Sequence, residues 1–271
     1  MLKQYLFCLM IFGLATQAGA GDTPLLKLDT ADDGRGWEAV GRLEIGQEAF
    51  CTGSLIEDDL VLTAAHCLFT KSTGAPVNPD EIEFRAGWRN GRAEAYRRVR
   101  RAVVHPDYVF GGDVVSDRVR NDVALLQLDR PIRTTTVTPF ETDVGRSSGQ
   151  AVGIVSYAHD RADAPSLQQV CNVMGYQAGM LVTSCNVDFG SSGSPIFSFD
   201  GDQPRIVSVV SAKARIDGDP VALGTELSRP LNELRDILAH DDGMFLRAPV
   251  AGDAVSQDEG RRASGAKFVK P

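Results

Sequence analysis

The sequence predicts an all-β protein, and two patterns carry that prediction. Apolar runs are short, for example 61–65, 123–128, 151–157 and 206–211, and turn signals such as Asn90-Gly91 separate them. Their spacing is regular, and no repeat of roughly 20–50 residues is evident. Many short strands at regular spacing are typical of sandwiches and of barrels, and the spacing alone does not choose between the two.

One helix is predicted after the strand-rich region. Segment 229–238 has a helical pattern, and Pro230 stands early in it, where its missing N–H costs least. Beyond Gly243 the sequence becomes polar and rich in Gly, Ala and Ser. Because little apolar surface is available there to offset chain entropy, residues 247–271 are predicted to form a flexible tail.

Residues 1–20 have the pattern of a secretory signal peptide. Lys3 precedes an apolar run over 5–14, and Ala18-Gly19-Ala20 supplies small residues for cleavage. Because the run is too short to span a membrane, we expect cleavage near Ala20 and a secreted or periplasmic protein without membrane insertion. Residues 21–36 then form an N-terminal segment ahead of the main domain.

The formal net charge of −8 restricts the partners. An acidic protein is a poor candidate for binding nucleic acid or an anionic membrane surface, so neither is expected. The local exception is an arginine-rich run at 97–101 with apolar residues interspersed. We interpret this run as the solvated face of a strand, and a recognition patch for acidic polymers is the alternative.

Three short segments carry residues suited to nucleophilic catalysis. They contain His66 in Leu-Thr-Ala-Ala-His-Cys, Asp122 in Asn-Asp-Val-Ala-Leu-Leu, and Ser192 in Gly-Ser-Ser-Gly-Ser-Pro. A serine hydroxyl must lose its proton as it attacks, and a histidine accepts that proton near neutral pH and later returns it. A buried carboxylate orients the imidazole and stabilises its protonated form. Each residue alone fits a core or turn position, but their order within these three contexts favours catalysis.

These segments resemble those of the trypsin-like serine proteases of the chymotrypsin superfamily. Further matches lie at 51–56, 104–108 and 129–132, and 37–43 resembles the first barrel strand of the bacterial branch that includes the glutamyl endopeptidases. The resemblance runs from about Trp37 to Leu238. It implies a secreted bacterial protease of two six-stranded antiparallel barrels, within a domain over 37–246.

The resemblance also implies an arrangement and an activity. The barrels would span about 37–135 and 143–228, with His66 and Asp122 on the first, Ser192 on the second and the substrate cleft between them. The protein would be a monomeric serine endopeptidase that cleaves proteins or peptides through an acyl-enzyme, without a cofactor. The alternative is a catalytically silent binding module, although such proteins usually lack one of the three residues and none is missing here.

Family position assigns further residues around the nucleophile. The N–H groups of Gly190 and Ser192 would form the oxyanion hole. The first specificity pocket would be lined by Asn186, Val187, Ser211, Ala212 and Lys213. Ser211 would also contact the triad carboxylate, and substrate backbone would pair with residues 211–213 as an added strand. Lys213 either favours acidic P1 side chains or extends into solvent, since its long stem allows both.

Ser191 departs from the pattern of the animal digestive enzymes. Those enzymes carry an aspartate at this position, which pairs with a newly freed N-terminal ammonium. Because a serine cannot form that ion pair, we predict activity without a specifically trimmed N-terminus. The nearest candidate for a trimmed start is Gly36, after Arg35, and it does not match the family's start sequence.

The cysteines predict two disulfides. Of five cysteines, one falls in the signal peptide, and an even number remains in an exported chain. Local spacing favours Cys51–Cys67 with Cys171–Cys185 among the possible pairings, and the first would hold the segment that presents His66, as in the family. Free thiols or a zinc site are the alternatives, but no Cys-x-x-Cys is present, so no metal is expected.

Overall fold

The computed structural model describes residues 22–46, 49–112, 116–143, 151–240 and 267–268. The predicted signal peptide and most of the predicted tail lie outside these residues. The described residues form two closed barrels of six antiparallel strands each, which confirms the predicted fold. A two-residue strand, β1 (Leu26–Lys27), precedes the barrels and pairs with a strand of the second one.

Six strands form the first barrel: β2 (Val40–Ile45), β3 (Ala49–Glu57), β4 (Leu60–Thr63), β5 (Ile82–Ala86), β6 (Ala95–Val104) and β7 (Ala124–Leu128). They pair in the order β2-β3-β4-β7-β6-β5, and β5 returns to β2. Along β5, Ile82, Phe84 and Ala86 are buried while Glu83 and Arg85 are half-buried. This period of two is expected of a strand that has one face on the core.

The arginine-rich run 97–101 lies on β6. Arg98 and Arg100 are exposed while Val99 between them is buried, as expected of a strand with one face on the core. Arg101 is half-buried and donates a hydrogen bond to the backbone carbonyl of Leu238 at 2.8 Å. The run is therefore the outer face of a barrel strand, and one of its side chains fastens the barrel to the C-terminal helix.

Six strands form the second barrel: β8 (Ala151–Ser156), β9 (Ser166–Gln177), β10 (Met180–Thr183), β11 (Pro195–Ser198), β12 (Arg205–Ile216) and β13 (Asp219–Glu226). They pair in the order β8-β9-β10-β13-β12-β11, and β11 closes the barrel on β8. A further strand, β14 (Lys267–Phe268), pairs with β12. Two residues of the predicted tail 247–271 are thus a strand, and the others lie outside the described residues.

Two helices and two disulfides complete the fold. The helix predicted over 229–238 is confirmed as α2 (Pro230–His240), whereas α1 (Ser116–Arg120) had no clear signal in the sequence. Both predicted disulfides are present, Cys51–Cys67 and Cys171–Cys185. No helix within the described residues is long and apolar enough to cross a membrane.

Trp37 joins the two barrels. Its ring centroid lies 5.1 Å from that of Phe197 on β11 and 5.9 Å from that of Phe140, in the connection between the barrels. The Phe140 and Phe197 rings are themselves edge-on, with centroids 4.8 Å apart. Burying each such ring contributes on the order of 1.5–3 kcal/mol, so this cluster fixes how the barrels meet. This cluster therefore also sets the distance between residues that face each other across the junction of the barrels.

Candidate active site

Ser192 lies in a tight loop between β10 and β11 and is half-buried. Two glycines lie close to it in sequence: Gly190 has a φ of +97° and Gly193 a φ of +78°, which residues with side chains rarely adopt. A Cβ on Gly190 would overlap the Phe50 ring, and a Cβ on Gly193 would overlap the Thr63 hydroxyl. The two glycines therefore allow the loop to lie directly against the first barrel.

Two backbone N–H groups of this loop, those of Gly190 and Ser192, make no hydrogen bond to any residue that the structure describes. Their neighbours are engaged: Ser191, Gly193 and Ser194 each donate to a backbone carbonyl at 2.8–3.0 Å. Backbone donors in a folded chain are nearly always paired. Within the same loop, the N–H groups of Cys185 and Val187 also have no partner among the described residues, but those of Gly190 and Ser192 are the two that flank Ser191 beside the nucleophile. They are the same two donors that family position assigned.

His66 and Asp122 form a hydrogen-bonded pair. His66 lies in a 3-10 helix (Ala65–Leu68) directly after β4, and Asp122 lies between α1 and β7. The Asp122 carboxylate is buried; its Oδ2 lies 2.7 Å from His66 Nδ1, and its Oδ1 accepts the backbone N–H of His66 at 2.8 Å. Ser211 donates a short hydrogen bond to the same Oδ2. These three contacts offset the cost of burying a carboxylate, and they leave Nε2 as the ring nitrogen free to act elsewhere.

Local features hold both partners of this pair. The disulfide Cys51–Cys67 ties the residue after His66 to β3. On β12 the pairing register shifts between Val210 and Ala212, which leaves Ser211 as the residue of a β-bulge. A bulge redirects a side chain, and the residue of this bulge, Ser211, is the one whose hydroxyl contacts Asp122.

The sulfurs of the first disulfide and a His66 nitrogen lie within 4.8 Å of one another. A metal would require deprotonated thiols, and these sulfurs are bonded to each other instead. The cluster therefore offers a metal only the imidazole, which Asp122 already engages.

A cleft is lined by residues of both barrels, and His66, Asp122 and Ser192 all line it. The structure thus brings the three predicted catalytic residues to one opening. Four of the predicted pocket residues line the same cleft: Val187, Ser211, Ala212 and Lys213. Asn186 does not line it; its side chain is exposed and its backbone N–H donates to the Gln168 side chain of β9 at 2.7 Å.

Lys213 is paired at the cleft wall. Its Nζ lies 2.8 Å from Asp188 Oδ1 and 5.2 Å from the centroid of the Phe189 ring. The hydrogen bond from Lys213 holds the pKa of the Asp188 carboxyl below its usual value. The sequence left two alternatives for Lys213, a contact with acidic P1 side chains or extension into solvent, and neither describes this arrangement. Lys213 lines the cleft, but its charge is balanced by Asp188, which the sequence did not single out.

The cleft contains a second cation that sequence reasoning missed, Arg118. It lies on α1 and donates to the Gly112 carbonyl at 3.2 Å, with its guanidinium 6.0 Å from the centroid of the Phe110 ring. No ion pair joins it to any carboxylate of the described residues. In the sequence, Arg118 is marked only by its position four residues before Asp122. That spacing does not identify it as a residue of the cleft unless the helix α1 is already known.

Ser191, the residue before Ser192 in the same loop, is fully buried and stands where the animal digestive enzymes carry an aspartate. Its hydroxyl donates to the Tyr157 carbonyl at 3.2 Å. The guanidinium of Arg161, itself 9% exposed, approaches at 3.5 Å and also donates to Ser156 at 3.2 Å. A buried internal cation therefore lies next to the residue that, in the digestive enzymes, receives the new N-terminus.

The chain is similar in sequence to known proteins. A lectizyme of Glossina austeni is 28% identical over 210 residues, which cover 62% of this chain and 69% of that protein. Mast cell protease 3 of Ovis aries is 36% identical over 93 residues, or 33% of this chain and 31% of that protein. The chain thus spans most of the first relative but only about a third of the second.

Solved structures and a family model complete the comparison. A Glu endopeptidase solved in complex with MPD has a TM-score of 0.65 and 17% identity, covering 83% of this chain and 99% of that one. The protease Anisep from Arthrobacter nicotinovorans has a TM-score of 0.59 and 16% identity, with coverages of 75% and 96%. At these identities the likeness shows the fold alone. The family model described as Trypsin matches residues 29–224, so the chain belongs to the trypsin family.

Proposed function

We propose that this protein is an exported serine endopeptidase in which Ser192 is the nucleophile, His66 the general base and acid, and Asp122 the orienting carboxylate. Membership of the trypsin family makes peptide-bond hydrolysis the expected chemistry. The observation that carries the proposal is the hydrogen-bonded pair of His66 with the buried Asp122, which opens on the same cleft as Ser192.

The contacts define a role for each atom. Because Nδ1 of His66 faces the Asp122 carboxylate, it carries the ring proton, and Nε2 has the lone pair that accepts the Ser192 proton. The Ser192 oxygen attacks the scissile carbonyl and forms a tetrahedral intermediate. His66 then returns the proton to the leaving amine, which departs and leaves an acyl-enzyme. A water, deprotonated by the same nitrogen, adds to the ester and releases the acid product and Ser192.

The negative charge of the intermediate requires donors that are already in position. The unpaired N–H groups of Gly190 and Ser192 supply two, and they need no reorganisation because the loop around them is hydrogen-bonded. Loss of one such donor in related sites lowers the rate by roughly 10²–10³-fold. We infer that these amides form the oxyanion hole.

The charge balance of the cleft bears on specificity. Asp122 is matched by His66, and Asp188 by Lys213, so Arg118 is left without a carboxylate partner among the described residues. We infer that the cleft favours substrates with an acidic side chain near the scissile bond, and that the Lys213–Asp188 pair weakens any contribution from Lys213 itself.

Two further features support export and activity without a trimmed N-terminus. Two disulfides are typical of proteins that fold in an oxidising compartment, such as the periplasm or the extracellular medium. The N-terminal segment is built into the fold, since Leu28 is buried and Lys27 pairs with Asp163 at 2.9 Å. Arg161, whose charge Asp160 balances at 3.0 Å, donates to the uncharged Ser191 hydroxyl from within the fold, so we infer that no freed N-terminus is needed.

Labelling with a fluorophosphonate probe tests the nucleophile. The native chain should be labelled at Ser192, and Ser192→Ala should abolish labelling and lower amide hydrolysis by about 10⁶-fold, the scale found when such a nucleophile is removed. Ser198→Ala, at the far end of β11, is the matched control and should retain both. Unlabelled native chain, or labelling of Ser191 or Ser194 with retained activity, contradicts the proposal.

A further inference from the structure

The N-terminal segment 22–28 packs along β9 of the second barrel. Its strand β1 pairs with β9, and Leu28 after that strand is buried. Ahead of β1, the Thr23 backbone N–H donates to the Val170 carbonyl at 2.9 Å, and the Thr23 hydroxyl accepts the Val170 N–H at 2.9 Å. The segment is therefore attached to β9 ahead of β1 as well as through it.

Gln168 of β9 connects this segment to the nucleophile loop. Its side chain is buried, and both ends of its amide make hydrogen bonds. Nε2 donates to the Thr23 carbonyl at 3.0 Å, and Oε1 accepts the backbone N–H of Asn186 at 2.7 Å. Asn186 directly precedes Val187 and Asp188, which line the cleft. Because a buried amide with a partner at each end has a fixed orientation, the position of Thr23 bears on the position of the cleft wall.

Asp22 makes a second connection to the nucleophile loop. Its Oδ1 accepts hydrogen bonds from the Ser184 hydroxyl at 2.8 Å and from the Asn172 side-chain amide at 2.7 Å. The Ser184 hydroxyl in turn accepts the backbone N–H of Asn172 at 2.8 Å. The disulfide Cys171–Cys185 joins the chain neighbours of these two residues. Asp22 thus reinforces the link that the disulfide makes between β9 and the nucleophile loop.

We propose that Asp22 and Thr23 are positioning residues for substrate binding, which act through Ser184 and Gln168 to hold the segment 184–188 at the cleft. The holding of this segment does not depend on the proposed peptidase function, whereas its effect on catalysis does. The contacts use a carboxylate side chain and a backbone carbonyl, so they need no freed terminal ammonium. The N-terminal segment is then a part of the active enzyme and not a removable propeptide.

Two variants remove the connection in different ways. A chain that begins at Leu25 lacks both positioning residues but retains β1, so it should fold. Gln168→Met keeps the length of the side chain and loses its hydrogen bonds. Lys27→Ala is the matched control, because its ion pair with Asp163 at 2.9 Å fastens the same segment without leading to the nucleophile loop. A chain that begins at Gly21 is the reference.

Hydrogen exchange followed by NMR tests the holding without any measurement of activity. The backbone amide of Asn186 should exchange about 3- to 30-fold faster in the Leu25 chain and in Gln168→Met than in the reference, because its acceptor is released or removed. Lys27→Ala should match the reference. Unchanged exchange in the Leu25 chain overturns the proposal. An equal acceleration in Lys27→Ala also overturns it, since that result would show a general loosening of the fold.

Kinetics test the consequence. When the segment 184–188 is in its binding conformation for only part of the time, the apparent affinity for substrate falls by that fraction and the chemical step is unchanged. We therefore expect KM for an extended peptide to increase about 3- to 30-fold in both variants, with kcat within about twofold of the reference. Combining the two changes should increase KM by less than the product of the single effects, because both act on one connection.

The opposite kinetic pattern refutes the positioning role. An unchanged KM in the Leu25 chain, or a fall in kcat without a rise in KM, contradicts it. A small fluorophosphonate should label Ser192 at a similar rate in the reference and in both variants, and loss of labelling in the variants alone would show a collapse of the whole nucleophile loop and refute the positioning role as well. If no chain is labelled or hydrolyses the peptide, the proposed peptidase function fails, and hydrogen exchange alone decides the inference.

Discussion

Asp122→Asn removes the charge of the buried carboxylate while keeping its shape. The amide oxygen can still accept the backbone N–H of His66, as Oδ1 does now at 2.8 Å. The amide nitrogen then replaces Oδ2, which at present lies 2.7 Å from His66 Nδ1 and accepts from Ser211. Because that nitrogen is a donor, His66 Nδ1 must become an acceptor, and the ring proton moves to Nε2, where it prevents the nitrogen from acting as a base.

The size of the effect follows from this wrong tautomer. Replacing the aspartate of a Ser-His-Asp triad by asparagine lowers kcat by about 10⁴-fold, or about 5.5 kcal/mol in activation free energy, and we expect a loss of that order here. Stability should change less, because two charge-assisted hydrogen bonds are weakened at roughly 1–3 kcal/mol in total. For a domain of this size that corresponds to a fall in Tm of about 2–12 °C, so the variant should fold.

The molecule supplies its own control for this substitution. His105 Nε2 lies 2.9 Å from Glu233 Oε2, a second histidine–carboxylate pair, and neither residue lines the cleft. Glu233→Gln therefore makes the same chemical change at an unrelated place. Measuring kcat on an amide substrate and the rate of fluorophosphonate labelling should show a collapse for Asp122→Asn alone. A variant within tenfold of the native kcat, or an equal loss in Glu233→Gln, would refute the reasoning.

Three other predictions concern activation, specificity and pH. A chain beginning at Gly21 should be active without further trimming, and activity confined to a chain beginning at Gly36 would instead show a zymogen mechanism. Asp188→Asn should leave the charge of Lys213 unbalanced. The ratio of kcat/KM for a substrate with glutamate at P1 to that for one with glutamine should then increase by about 3- to 10-fold at low salt, and the gain should shrink as salt increases. An unchanged ratio would show that Lys213 does not reach the substrate. Burial lowers the pKa of His105 below its usual value, so its contribution to stability is present above about pH 6.5 and is lost as the pH falls toward the folded pKa. Urea unfolding at pH 7.5 and 5.5 should therefore show a smaller pH dependence for His105→Gln than for the native chain, and an equal or steeper dependence would contradict this assignment.

Several features depend on local sequence and could be predicted from it. The arginine-rich run 97–101 was interpreted as a strand, and it lies on β6, while Pro230 marked the start of α2. The two disulfides join cysteines separated by 16 and 14 residues, so short spacing was a sufficient guide. The predicted triad residues stand in short motifs because each occupies a tight local structure, such as the loop in which Gly190 and Gly193 have positive φ.

Other features depend on residues that are distant in sequence, and no local pattern specifies them. Lys213 meets Asp188 only because β12 lies beside the nucleophile loop, and the sequence left the direction of that lysine open. Arg161 comes to lie near Ser191, and Arg118 reaches the cleft, through the packing of elements that carry no motif of their own. Asn186 was assigned to the pocket by family position, yet its backbone bond to Gln168 accompanies an exposed side chain. The sequence by itself thus determined the all-β fold class, the cysteine pairing and the candidate chemistry, because these follow from short-range periodicity, spacing and local motifs. The tertiary structure alone decided the charge balance of the cleft, because that depends on which side chains the two closed barrels bring together.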